Sequence, residues 1–249
     1  MYQGISSLPA ILFSILLNLF SVAGNFAQIS EYNTQIALQN QTEKMYGPDD
    51  YLLQGRIYRR QNINANGHPF FNDPEWKEAI LFSHGKSFPG QLIQYDIEQE
   101  VIILHIINDQ GDVLFVCAED ELIDSLIFSN RLFINLKNTN KTETANGYYE
   151  LVFKGRNLFV LKHEKSFIKN YNSINPNGYY TKQASVLSLS REDGLIPLPD
   201  KRSFLLIFES HRQELKKFIR HNHIRYRKSR MNELKILCEY ADKLSREER

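Results

Sequence analysis

The sequence predicts an α+β protein: a predominantly antiparallel β-sheet of about eight to eleven strands, curved or closed into a barrel-like form, followed by two C-terminal amphipathic helices. Two observations carry this reading. Between Tyr51 and Leu189 the apolar residues come in short runs rich in Ile, Val, Leu, Phe and Tyr and bounded by Gly, Asn and Asp, the pattern of strands joined by tight turns. From Asp200 onward apolar residues recur at helical spacing. The chain divides accordingly into 1–27, a signal peptide; 28–50, a polar lead-in; 51–199, an antiparallel β domain; and 200–249, a helical segment. At 249 residues it can hide roughly 70% of its unfolded surface, enough to fold without staples.

Pro9 to Ala23, PAILFSILLNLFSVA, is uncharged, apolar and of signal-peptide length, and Ser14 and Asn18 interrupt it too often for a confident membrane span. Small residues at Ala23 and Ala27 mark the expected cleavage points, and the expected setting is periplasmic or secreted. No Lys or Arg precedes the apolar stretch, which leaves an uncleaved anchor or a buried helix as alternatives. No Cys follows it directly, which disfavours a lipoprotein anchor. An exported chain rarely meets nucleotides, and neither a GxxxxGK[ST] loop nor a GxGxxG turn is present.

Tyr51 to Arg60 reads as a first strand, with Gly55 as a bulge or close-packing point. Phe70, Phe71 and Trp76 cluster around Asn72-Asp73-Pro74, either as a plug at the end of the sheet or as a ligand platform. Ala79 to Cys117 then holds four strands separated by His84-Gly85-Lys86, Glu98-Gln99-Glu100 and Asn108 to Asp112. Val101 to Ile107 is apolar on both faces apart from His105, which places it centrally. Glu119 to Ser125 suits a bent connection, and Leu126 to Phe128 and Leu132 to Leu136 suit strands. Tyr148 to Phe153 and Leu158 to His163 form the clearest hairpin, turning over Lys154 to Asn157, with one face buried and the other amphipathic. Tyr179 to Leu189 suits a strand pair, and Gly194 to Pro199 a linker broken by proline.

Ser203 is a plausible N-cap for one helix through Phe204, Phe208, Leu215, Phe218 and Ile219, stopping at Asn222. Leu234, Leu237, Cys238, Ala241 and Leu244 mark a second helix. The two cysteines, Cys117 and Cys238, are too few for a disulfide framework or a zinc site; buried thiols or one long-range disulfide remain open. His221 and His223 form the one close histidine pair, but the surrounding Arg and Lys would repel a cation, so neither a metal nor another cofactor is expected. Asn40-Gln41-Thr42 and Asn140-Lys141-Thr142 are sequons that matter only in a eukaryotic secretory route.

His211 to Arg230 concentrates eight basic residues against Glu214 alone, a net +7, while the rest of the chain carries 22 basic and 28 acidic residues, a net −6. This is either a solvated face that pairs with the acidic remainder or a surface for a polyanion. With export, the expected partners of Lys216, Lys217, Arg220, Arg225, Arg227 and Lys228 are lipid headgroups, acidic polysaccharide or an envelope protein, and nucleic acid is not expected.

Gly67-His68-Pro69-Phe70-Phe71 with Trp76, Tyr95-Asp96, Gly147-Tyr148-Tyr149-Glu150-Leu151 with Gly155, and Leu215-Lys216-Lys217-Phe218-Ile219 together resemble landmarks of exported, uncharacterised β-rich proteins of Gram-negative bacteria. This chain departs from that pattern at Glu78-Ala79, where a Gly would stand. The resemblance implies a periplasmic or secreted setting and no particular activity.

Three functions stay open from the residues. The first is a non-enzymatic envelope module that binds a macromolecule or an apolar, lipid-like ligand, with Phe70, Phe71, Trp76 and Tyr95 as candidate ligand contacts. The second is a periplasmic hydrolase using the loop histidines His68 or His84 with nearby carboxylates. The third is a structural accessory of a surface assembly. Tyr95-Asp96 beside Glu98 and Glu100 reads as a solvated acidic turn before it reads as an acid/base pair.

Overall fold

The computed structural model describes residues 55–108, 110–137, 147–191 and 194–247. The apolar stretch 9–23 with both cleavage points, the lead-in 28–50, the start of the first expected strand and both sequons lie outside the described residues.

The described strands are β1 Gly55–Ile57, β2 Lys77–Ser83, β3 Lys86–Asp96, β4 Val101–Ile107, β5 Val113–Ala118, β6 Ser125–Phe128, β7 Arg131–Asn135, β8 Tyr148–Lys154, β9 Leu158–Glu164, β10 Phe167–Ile168, β11 Tyr179–Tyr180, β12 Ala184–Arg191 and β13 Gly194–Leu198. The helices are α1 Lys201–Ile207, α2 Arg212–His221 and α3 Met231–Glu247. Eleven strands form one antiparallel sheet in the order β1-β5-β4-β3-β2-β6-β7-β8-β9-β12-β13, and β10 and β11 form a separate ribbon. The α+β class with an antiparallel sheet and helices after it is therefore as the sequence predicts.

Local chemistry sets the turns. His84 (φ 47°) and Gly85 (φ 79°) both take left-handed backbone between β2 and β3, as do Ser129 (φ 51°) and Asn130 (φ 59°) between β6 and β7. Two such residues in succession match the right-handed twist of the strands they join. In β3, Pro89 lacks an N–H and Gly90 has φ 72°; the β2–β3 register shifts opposite them, between Ala79 and Leu81, so a bulge absorbs the missing donor. Gly55 packs so closely on β5 that a Cβ there would run into the Cys117 carbonyl.

Four expectations are corrected. The sheet stays open rather than closing into a barrel. Pro197 sits on β13 and removes a ladder donor from that edge, and the chain passes straight from β13 into α1, which packs against it. Gly194 to Pro199 is accordingly an edge strand, not a linker, because an edge tolerates proline where a central strand would not. The first C-terminal helix is two, so three helices follow the sheet among the described residues. Phe208 leaves helical geometry (φ −113°, ψ 49°), and its ring packs 5.2 Å from Phe204 and 6.1 Å from Phe159, after which a 3-10 turn, Glu209–His211, leads into α2. Asp200, not Ser203, is the N-cap of α1; the two bond reciprocally as a capping box.

Two apolar layers meet at β8. Phe71, Leu81, Ile93, Tyr95, Phe128, Phe133 and Tyr148 belong to one cluster on β2 to β8. Val152, Phe159, Leu161, Leu187, Leu189 and Leu198 pack instead against Phe204, Leu215, Ile219, Leu237 and Ala241 of the helices. Each such side chain contributes about 1.5–3 kcal/mol on burial. Phe133, Glu150, Leu161 and Leu187 are successive register partners, so the two clusters lie side by side on one face, while Leu136, Tyr149 and Val160 cluster on the other. With both faces of the β8–β9 hairpin packed, Glu150, Lys162 and His163, expected on an amphipathic face, are buried. Cys117 and Cys238 are free and buried in different clusters.

One carboxylate ties the helices to the sheet. Asp242 on α3 is 1% exposed and accepts from Asn157 N at 2.7 Å, Asn157 Nδ2 at 2.9 Å, Arg156 N at 3.3 Å and Arg246 at 2.7 Å, capping the β8–β9 turn. Gly155 leaves the room: a Cβ there would meet Asp242 Oδ2. Burial works against the charge, but the backbone donors of Asn157 and Arg156 outweigh it and hold the carboxyl below its usual range. A depressed carboxylate stabilises the fold above the unfolded-state value and ceases to do so as pH falls through the folded one. Asp242→Ala is expected to lower stability by about 2–4 kcal/mol in urea titrations at neutral pH, by leaving those N–H groups unpaired, with the difference shrinking below about pH 4; an unchanged urea midpoint would refute the clamp.

Candidate functional site

A cleft of about 660 Å³ lies between one face of β9 and β12 and the α2–α3 connection. Its apolar wall is Leu161, Leu187, Leu198, Tyr226, Met231 and Leu234, and its polar side is Asn72, Arg131, His163, Gln183, Ser185, Arg227, Ser229 and Arg230. Tyr226 fixes the connection by donating to the Leu198 carbonyl at 2.8 Å. Ser229 Oγ is buried without a hydrogen-bond partner among the described residues.

Sheet register creates the polar side. Ser185 on β12 pairs directly with His163 on β9, while Glu150 on β8 pairs with Leu161, two positions along the same face. Arg131 on β7 lies two residues from Phe133, the partner of Glu150. Opposed residues in an antiparallel pair point to one face, so Arg131, Glu150, His163 and Ser185 form an oblique row across four neighbouring strands.

The row is hydrogen-bonded throughout. Arg131 Nη1 donates to Glu150 Oε2 at 3.1 Å, His163 Nε2 lies 2.7 Å from the same oxygen, and Ser185 Oγ lies 2.7 Å from His163 Nδ1. A carboxylate only accepts, so the imidazole proton belongs on Nε2 and Nδ1 is left to accept from the serine. Glu150 and His163 are 2% and 3% exposed, whereas Ser185 is open to the cleft. Phe71 closes the imidazole from behind, edge-on at 4.8 Å, and the Arg131 guanidinium lies over the Phe71 ring at 5.5 Å. Gln183 Nε2 is 3.4 Å from His163 Nδ1, and its Oε1 is occupied by the Asn72 N–H at 2.8 Å, which orients the amide.

The aromatic residues read from sequence separate onto two faces. Phe71 and Tyr95 are buried in the β2–β8 cluster, with ring centroids 6.4 Å apart. Phe70 and Trp76 belong to a cluster with Val101, Ile103 and Cys117; Trp76 stacks on Phe115 at 5.0 Å. Of these four, Phe71 alone touches the polar row. Of the basic set, Lys217, Arg220, Arg225, Arg227 and Lys228 are exposed and Lys216 is half-buried; Arg227 lines the cleft with Arg230 and sits 3.6 Å from Asp200. His221 and His223 are exposed at the end of α2.

The loop histidines have other work. His84 forms the β2–β3 turn, its N–H donating to Asp124 at 2.7 Å, and His68 stacks on Phe70 with Nδ1 3.3 Å from Lys165 Nζ. Asp96, expected in a solvated turn, is fully buried and accepts from Tyr58 Oη, Glu98 N and Gln99 N, so it organises the β3–β4 turn from inside. In the sequence, Glu150, His163 and Ser185 each look like an ordinary strand residue, and no local motif marks them. One signal existed: the hairpin centred on Lys154 to Asn157 makes Glu150 and His163 diagonal neighbours on one face.

Burial pushes the Lys165 ammonium, which donates to the Phe70 carbonyl at 2.7 Å, down to about 8 from its ordinary 10.5. A lowered lysine value means that the folded chain sheds this proton first, so its contribution to stability rises as pH climbs from about 8 to 10.5. Denaturant titrations should show wild type gaining on Lys165→Gln across that window, by less than about 1 kcal/mol because the amine is half exposed and screened; parallel pH dependences would contradict it.

Comparison with family models, curated proteins and solved structures finds no match to this chain, so the reading of the site rests on its own geometry.

Proposed function

We propose that this chain is an exported binding protein whose cleft takes an anionic amphiphile. The observation that carries the reading is the two-sided lining: Arg227 and Arg230 with Ser185, Gln183 and Ser229 on one side, and Leu161, Leu187, Leu198, Tyr226, Met231 and Leu234 on the other. A few fixed polar groups on an otherwise apolar wall are the usual make-up of a small-molecule site. The buried Ser229 hydroxyl is a donor that a bound headgroup would satisfy. The exposed basic residues flanking the cleft, Arg225 and Lys228, favour a negatively charged headgroup or surface. The apolar stretch Pro9 to Ala23 supports export, where lipid-like ligands and anionic envelope polymers are at hand.

Dodecanoate and the uncharged dodecanol separate the two sides of the cleft. At roughly a hundredfold excess over Kd, bound dodecanoate should add about 2.7 kcal/mol and raise Tm by roughly 5–10 °C. Dodecanol should do less, and Arg227→Ala with Arg230→Ala should remove the difference. No shift with either compound, or equal shifts with both, would refute the reading.

A further inference from the structure

The geometry points to Ser185 as a nucleophile, activated by His163 and Glu150, that hydrolyses a carboxylic ester bearing an anionic group and an alkyl chain; this rests on the binding reading above. Three features combine. Ser185 Oγ lies 2.7 Å from His163 Nδ1, and Ser185 is exposed where it lines the cleft. His163 Nε2 is held 2.7 Å from a buried carboxylate that Arg131 also holds at 3.1 Å, so the imidazole is locked with its free lone pair toward the hydroxyl. The Gln183 amide, oriented by Asn72 N, lines the same cleft with its Nε2 3.4 Å from His163 Nδ1, the nitrogen that Ser185 Oγ also meets. Nucleophile, base, orienting acid and a donor for a developing oxyanion are the parts that acyl transfer requires. Here the serine meets Nδ1 and the acid Nε2, the reverse of the usual serine-protease assignment; either ring nitrogen can accept the proton once the other is held.

The chemistry balances with water as co-reactant. The Ser185 oxygen attacks the ester carbon as its proton passes to His163 Nδ1, and the carbonyl electron pair moves onto oxygen, where the Gln183 amide donates to it. Collapse re-forms the carbonyl and breaks the bond to the alkoxide, which takes the proton from Nδ1 and leaves as alcohol. Water, deprotonated by the same nitrogen, then attacks the acyl-serine, releasing the carboxylic acid and restoring the hydroxyl. Glu150 and Arg131 act through His163 as positioning residues.

The test is a fluorophosphonate on the full chain: the serine–phosphorus bond forms, phosphorus–fluorine breaks and fluoride leaves. One equivalent should attach, on the peptide containing Ser185, and Ser185→Ala, an exposed change that leaves the fold intact, should abolish it. Hydrolysis of mono-p-nitrophenyl suberate, an ester with an alkyl chain ending in a carboxylate, should fall at least about a hundredfold in Ser185→Ala and in Gln183→Ala. Glu150→Gln should lower kcat with KM unchanged, a split that a loss of packing would not produce. Label absent from Ser185, or hydrolysis equal in Ser185→Ala, overturns the proposal. If the dodecanoate-dependent rise in Tm persists in that case, the cleft binds without catalysis; if it too is absent, the binding reading falls with it.

Discussion

A glutamate and a histidine buried side by side can persist in the sheet only because charged and polar neighbours meet them: Glu150 Oε2 takes both Arg131 and His163, and both ring nitrogens of His163 are engaged. An isolated ionised carboxylate in an apolar surrounding costs several kcal/mol, and Glu150 sits where Phe71, Phe133 and Tyr148 crowd the interior. Arg131 on one side and His163 on the other supply its donors, and Ser185 completes the imidazole. That requirement binds four strands into one register, since a slip of one residue in any of them would turn a member of the row to the opposite face. Strand register, core packing and the polar lining of the cleft are in this sense one constraint.

The position of the row also explains how the helices matter. It crosses the sheet where the β2–β8 cluster gives way to the cluster shared with α1, α2 and α3, so its open end faces the α2–α3 connection. Asp242 anchors α3 to the β8–β9 turn, and Tyr226 anchors the connection to β13. Tyr226, with Met231 and Leu234 at the start of α3, lines the cleft that Ser185 also lines. Phe218 stacked on Tyr240 at 4.1 Å holds α2 and α3 together across the same corner.

Much of the fold was legible in the residues. The four strands from Lys77 to Ala118, the hairpin from Tyr148 to Glu164 and the helix from Met231 to Glu247 follow hydrophobic periods that the chain displays openly. Pro197 hid β13, because proline argues against a strand unless the strand is known to be an edge, and edges are set by the order of the sheet. The break at Phe208 was hidden because the apolar spacing continues across it; ring packing against Phe159, a partner some fifty residues away, decides the backbone there. The candidate site was the least legible part. Its members come from β7, β8, β9 and β12, and only the pairing of β9 with β12, which skips the β10–β11 ribbon, brings Ser185 to His163. Loops often carry function, yet the loop histidine His84 forms a turn and His68 an aromatic stack.

The account depends on where one proton sits. Long-range ¹⁵N–¹H correlation spectra of histidine-labelled protein at neutral pH read the tautomer of each imidazole directly. For His163 the account requires the proton on Nε2, toward Glu150, with Nδ1 unprotonated and accepting from Ser185, a pattern that Glu150→Gln should disturb. A proton on Nδ1 in the neutral ring would contradict it, because the serine could then only accept and the row would be a structural seal rather than a relay.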